Sequence, residues 1–137
     1  MRKFLTLCLI IPLLSFSPEE NESRFWGKWI GEDNGEFGYL IFEEEGYAFF
    51  EIGDEIFGGK EFIFKGEKCN MTYVIKSGEN PIHVDFIVTN IKTNEQQKLL
   101  CIANFKDVNT MEFAINFEGE RPIEFNIENS IILTRFK

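Results

Sequence analysis

Apolar and polar residues alternate with period two in segment after segment of this chain, and beyond residue 17 no stretch carries a sustained helical period. The cleanest case is residues 111–118, where Met111, Phe113, Ile115 and Phe117 alternate with Glu112, Ala114, Asn116 and Glu118. The same rhythm predicts strands over 37–43, 47–52, 60–65, 71–76, 82–89, 98–105 and 131–136, with Phe25–Gly31 leading the series. Turn signals rich in Gly, Asn, Asp and Pro separate them at roughly ten-residue spacing, the mark of an all-β chain. About eight or nine short antiparallel strands in one domain have to dispose of their edges, and barrel closure removes edges altogether. The pattern therefore predicts an all-β, antiparallel up-and-down barrel of about eight strands. A barrel of that size is either filled by its own side chains or holds one small ligand.

The first residues break the pattern. Met1-Arg2-Lys3 precedes an apolar run from Phe4 to Leu14 and a polar exit at Ser15–Ser17, the layout of a secretory signal peptide. The run is short for a membrane span and contains Pro12. The expectation is a removable leader at residues 1–17, a barrel domain at 18–137, and a secreted or periplasmic location with no membrane span after processing. Charge sharpens this. The chain carries 14 Lys and Arg against 23 Asp and Glu, a net charge of −9, and loss of Arg2 and Lys3 takes it to −11. Such a field repels phosphate backbones and anionic lipid surfaces, which argues against nucleic-acid partners and leaves solubility or a basic protein partner as its use.

Removal of the leader takes Cys8 and leaves Cys69 and Cys101. In an oxidising compartment that pair invites a disulfide closing a loop of about 33 residues, worth roughly 3–4 kcal/mol in the chain-entropy model. The alternative is two small buried residues that never meet. Catalytic and metal chemistry find little to use. The one histidine, His83, takes the solvent phase of its strand, and the serines lie in polar loops with no nucleophile-elbow pattern. One His and two Cys do not assemble a zinc site. The carboxylate groups at Glu43–Glu45 and Asp54-Glu55 lie in turns, where water keeps their pKa values alike. Asp33-Asn34-Gly35-Glu36 lacks calcium-loop spacing and reads as a turn. No enzyme activity and no cofactor are expected. Asp85, inside a strong strand, and Arg121, leading a Pro-bounded segment, are expected to pair at one barrel end and pin the Gly119–Phe125 loop, with a binding role at the mouth as the alternative.

Gly27-Lys28-Trp29 near the start, together with Arg135 on the last strand, resembles the signature of the lipocalin and fatty-acid-binding superfamily. That resemblance implies that Gly27 and Trp29 close one barrel end and that Arg135 lies across the tryptophan face as a cation–π contact. Asn80–Phe86, then Gly119-Glu120-Arg121-Pro122 with Phe125, and the closing Leu133–Phe136 also resemble a family of small exported bacterial domains of uncharacterised function. This second resemblance spans about residues 25–137 and implies architecture and compartment without a mechanism. The functional expectation is a small apolar ligand held in an aromatic lumen lined by Phe37, Tyr39, Phe49, Tyr73, Phe86, Phe113 and Phe117, each of them a core position before it is a ligand contact. The alternative is a protein-interaction module, immunity- or inhibitor-like, whose acidic outer face meets a basic partner.

Overall fold

The structure is a computed structural model that describes residues 22–33, 35–116 and 119–136, so the expected leader at 1–17 lies outside the described residues. The alternating segments fold as ten antiparallel strands: β1 Gly27–Asp33, β2 Glu36–Phe42, β3 Ala48–Ile52, β4 Glu55–Gly58, β5 Phe62–Phe64, β6 Glu67–Lys76, β7 Ile82–Asn90, β8 Gln96–Asp107, β9 Thr110–Ile115 and β10 Ser130–Arg135. They form one sheet in the order β4-β3-β2-β1-β10-β9-β8-β7-β6-β5. Every neighbour is a chain neighbour except β1 and β10, which join Trp29 to Arg135 and Ile30 to Thr134.

The count exceeds eight because β4 and β5 are only four and three residues long and stand at the two ends of the sheet. These two free ends face each other, so the sheet is nearly closed into a barrel. The seam is stitched near the β3 start: Tyr47 bridges Thr72, Tyr73 N–H donates to Gly46 O at 3.2 Å, and Met71 N–H donates to Gly59 O at 2.9 Å. Gly58 makes this approach possible. A Cβ there would lie 2.6 Å from Ala48 O and 2.9 Å from Phe49 Cα, and its φ of +115° is one that only glycine adopts readily. Further along the seam Phe57 meets Phe62 and Phe64 edge-on, with centroids 4.8 and 5.5 Å apart. Aromatic packing there replaces the missing hydrogen bonds.

The inward phase supplies the core, with Trp29, Leu40, Phe42, Ala48, Met71, Tyr73, Val84, Phe86, Ala103, Met111, Phe113 and Leu133 all buried. One barrel end is closed by Trp29, whose indole N–H donates to Phe25 O at 2.8 Å. Phe25 in turn packs edge-on against Phe42 and Phe105, at 5.4 and 4.9 Å. Arg135 lies over the Trp29 ring at 4.2 Å, as the Gly-x-Trp pattern implies. Gly27 lets it in: its φ is +114°, and a Cβ would stand 3.4 Å from Arg135 Nη1.

The possible Cys69–Cys101 bridge is not formed: both residues are buried free thiols, the alternative of two small buried residues that never meet. Register explains this. Cys69 on β6 pairs with Asn90 of β7, whereas Cys101 on β8 pairs with Val84 at the far end of the same strand. Six positions of strand, about 20 Å, and the width of β7 lie between them, far beyond disulfide reach.

Candidate functional site

The end opposite Trp29 is where the barrel is not filled. A tight turn joins Asp33 to Glu36 and sets Gly31 of β1 directly across from Gly38 of β2, both facing inward. Neither carries a side chain: Ile131 and Leu133 occupy the place at Gly31, and a cavity of about 380 Å³ opens beside Gly38. Its wall is Leu40, Phe50, Ile52 and Phe57 on one side and Leu99, Phe113, Ile115, Ile131 and Leu133 on the other. Behind it, Phe86 contacts Phe50 and Phe113 at centroid distances of 5.3 and 6.1 Å and separates the cavity from the closed end. Ile131 and Leu133 crowd Gly31 from the neighbouring strand β10: a Cβ there would meet Ile131 Cδ1 at 2.7 Å.

A second, more polar hollow of about 530 Å³ continues outward from the first. The two share Phe113, Ile115 and Ile131, and the outer one adds Glu32, Asp33, Glu128, Asn129 and Ser130. The site is therefore graded, apolar inside the lumen and acidic at the mouth.

Of the seven residues expected to line the lumen, Phe113 does so with its ring. Tyr73 and Phe86 point inward but sit deeper in the packed core, against Phe42. Phe37, Tyr39 and Phe49 occupy the outward phase of their strands. Phe37 pairs with Glu32 and is 54% exposed. Tyr39 borders the cavity but turns its ring onto Phe136 and Lys28 Nζ, at 5.3 and 4.3 Å. Phe49 yields the lumen to Phe50, because Ala48 pairs with Phe42 and sets the inward phase. Phe117 lies outside the described residues. A one-residue change of phase moves a whole strand's side chains to the other face, and three consecutive apolar residues, Ala48-Phe49-Phe50, leave that phase open in the sequence. The Gly31–Gly38 pair was missed, although the Asn34-Gly35 turn between alternating segments is the signal that sets the two glycines opposite each other.

Asp85 and Arg121 do pair, with Oδ1 and Nη2 at 2.7 Å, but on the barrel's outer face rather than at its end. Asp85 points away from the lumen between Val84 and Phe86, and Arg121 Nη1 also donates to Cys101 O at 2.9 Å. Ile102 and Ala114, outward on β8 and β9, are buried apart from the main core, and Pro122, next to Arg121, is buried too. Residues 119–129 thus lie against β7–β9 like a strap. Asn126 and Asn129 hold its last turn: Asn126 Oδ1 accepts from Glu128 and Asn129 N–H, while Asn129 Nδ2 donates to Glu124 O. His83 is half-buried on the same outer face of the barrel, and among the described residues no three His, Cys, Asp or Glu side chains gather at metal-binding distance.

Two groups in the core have displaced acidities. Burial pushes the Cys101 thiol above its ordinary range; the Asp85 carboxylate adds to this and Arg121 opposes it. Burial, with the carboxylates of Glu22, Glu43 and Glu44, pushes the Tyr73 phenol up to about 12, and the hydroxyl donates to Glu43 O at 2.8 Å. Because the folded state holds its proton above the ordinary value of 10, this contribution is intact below pH 10 and is lost as pH rises towards 12. Unfolding free energy is expected to fall by up to about 1.4 kcal/mol per pH unit in that window. Urea unfolding of the protein and of Tyr73→Phe across this range checks it; an equal slope in the variant would assign the loss to other groups.

Fold and site together define an antiparallel β-barrel with an apolar cavity at one end and an acidic mouth. No family model, no curated protein and no solved structure matches the chain.

Proposed function

We propose that this chain is a small exported carrier that takes up an apolar ligand in its barrel and performs no catalysis. The observation that carries the reading is the cavity of about 380 Å³ bounded by Leu40, Phe50, Leu99, Phe113 and Leu133. Its volume falls within the ordinary range of ligand pockets, about 300–1,000 Å³. Apolar walls of this kind bind by removing hydrocarbon from water, at about 0.8 kcal/mol per methylene. The lipocalin-like opening Gly27-Lys28-Trp29 with Arg135, and the leader-like residues 1–17, agree with a secreted or periplasmic carrier without a cofactor.

Gly38→Phe is the test. A Cβ at Gly38 meets only Ile52 Cγ1, at 3.5 Å, and Glu51 O, at 3.7 Å, so an aromatic side chain enters the cavity without backbone strain. The neutral dye N-phenylnaphthylamine is expected to bind the unaltered protein with a fluorescence rise and to bind Gly38→Phe at least tenfold more weakly, with the far-ultraviolet circular dichroism of the two alike. Equal dye binding in both would sink the lumen as the site.

A second reading, a protein-interaction module with an acidic outer face for a basic partner, is favoured by Ile123 and Ile127. They are 89% and 98% exposed on the strap among Glu120, Glu124 and Glu128. A partner held there would stay bound to Gly38→Phe.

A further inference from the structure

The inner cavity and the outer hollow share one wall and differ in chemistry. Phe113, Ile115 and Ile131 run from the apolar space into the hollow that Glu32, Asp33 and Glu128 face. The neighbouring turns add Glu36, beside Asp33 in the β1–β2 register, and Asp54 with Glu55 just beyond Ile52. Among the described residues, no Lys, Arg or His lines either space, and Glu32, Asp33 and Glu128 have no ion-pair partner. Among the described residues, the cations that pair lie elsewhere: Lys28 with Glu51, Lys68 with Glu61 and Arg121 with Asp85.

The geometry points to a cationic amphiphile as the occupant, an alkyl or aryl amine whose apolar body fills the lumen while its ammonium stands in the acidic vestibule. This rests on the carrier reading and specifies its ligand. Among the described residues, the inner walls are apolar apart from Tyr39, whose ring turns onto Phe136 and Lys28, so a polar head group belongs at the mouth. There the potential is set by exposed carboxylates, which attract a cation and repel a carboxylate ligand at low salt. A fatty acid, the same body with the opposite head, is the ligand this mouth disfavours.

Displacement of N-phenylnaphthylamine by dodecylammonium, dodecanol and dodecanoate, each below its aggregation threshold, separates the possibilities. At low salt dodecylammonium is expected to compete on the order of tenfold better than dodecanol and better still than dodecanoate. The preference should shrink towards equality at roughly 1 M salt, where the Debye length is about 3 Å. Shortening the amine's chain should cost about fourfold per methylene, the equivalent of about 0.8 kcal/mol. The triple variant Glu32→Gln, Asp33→Asn, Glu128→Gln is expected to bring dodecylammonium to the level of dodecanol. If dodecanol or dodecanoate competes as well as the amine at low salt, or the triple variant keeps the preference, the cationic specificity is overturned and the apolar carrier stands. If the dye does not bind the unaltered protein and none of the three chains registers by calorimetry, the carrier reading fails and this one with it.

Discussion

Replacing Arg135 by alanine is expected to lower the unfolding free energy by about 3 kcal/mol and the midpoint of thermal unfolding by roughly 10 °C. The guanidinium does four things at once. Nη1 donates to Trp26 O at 2.8 Å, Nη2 donates to Arg24 O at 2.9 Å and to Val108 O at 3.1 Å, and Nε donates to Asn109 Oδ1 at 3.2 Å. It thereby ties the lead-in to β1 and the β8–β9 turn onto the last strand. Its plane covers Trp29, a contact worth about 0.5–2 kcal/mol, and truncation would open the fully buried indole to water. Much of this fork is solvent-exposed, so its bonds count at the low end of the range for charged donors, and several of the freed carbonyls rehydrate. Arg135→Lys keeps the charge but not the planar fork, and is expected to recover less than half of the loss. Urea unfolding followed by tryptophan fluorescence measures both variants. A loss under about 1 kcal/mol for the alanine variant would mean that the barrel end holds without its clamp.

Removing one partner of the Asp85–Arg121 pair is the second large perturbation. Asp85→Ala is expected to cost about 3 kcal/mol, because it leaves a largely buried guanidinium uncompensated, whereas Asp85→Leu combined with Arg121→Met recovers most of that. The carboxylate side chain is only 7% exposed and the arginine side chain 20%, so solvent does little to replace the lost partner. The strap supplies an independent readout. With Arg121 unpaired, residues 119–129 lose their anchor to β7, and a Glu-specific protease should cut after Glu120 or Glu124 markedly faster than in the unaltered protein. Digestion at an unchanged rate, alongside a stability loss, would place the strap's anchorage in Pro122 and the Asn126–Asn129 turn instead. These two sites act at different parts of the barrel and share no partner, so their costs are expected to add.

The closed end of the barrel was legible in the residues. The resemblance of Gly27-Lys28-Trp29 and Arg135 to the lipocalin signature implied that they form one structural unit, and they do meet. The pairing of Asp85 with Arg121 was legible too, since a carboxylate inside an apolar strand calls for a cation. Its place was not: whether Asp85 points to the lumen or to the outside depends on the phase of β7, which is set by Val84 and Phe86 facing the core.

The open end was hardly legible at all. Alternation specifies that a strand has two faces but does not say which face is inside when apolar residues occupy both, as at Phe37-Gly38-Tyr39-Leu40 and Ala48-Phe49-Phe50. The sequence alone was therefore enough for an all-β antiparallel meander, its turns, its acidic charge and its Trp29 plug, since period, turn chemistry and charge are local properties. Three things were settled only by tertiary structure. The Cys69–Cys101 separation depends on strand offset across β7. The free edges at β4 and β5 depend on how far the sheet curls before Gly58 lets β3 reach β6. The cavity depends on Gly38 facing the lumen, where a Cβ would meet Ile52 Cγ1 and Glu51 O only at ordinary contact distance; an absent side chain leaves no mark in a hydrophobic pattern and becomes space only when the surrounding strands close over it.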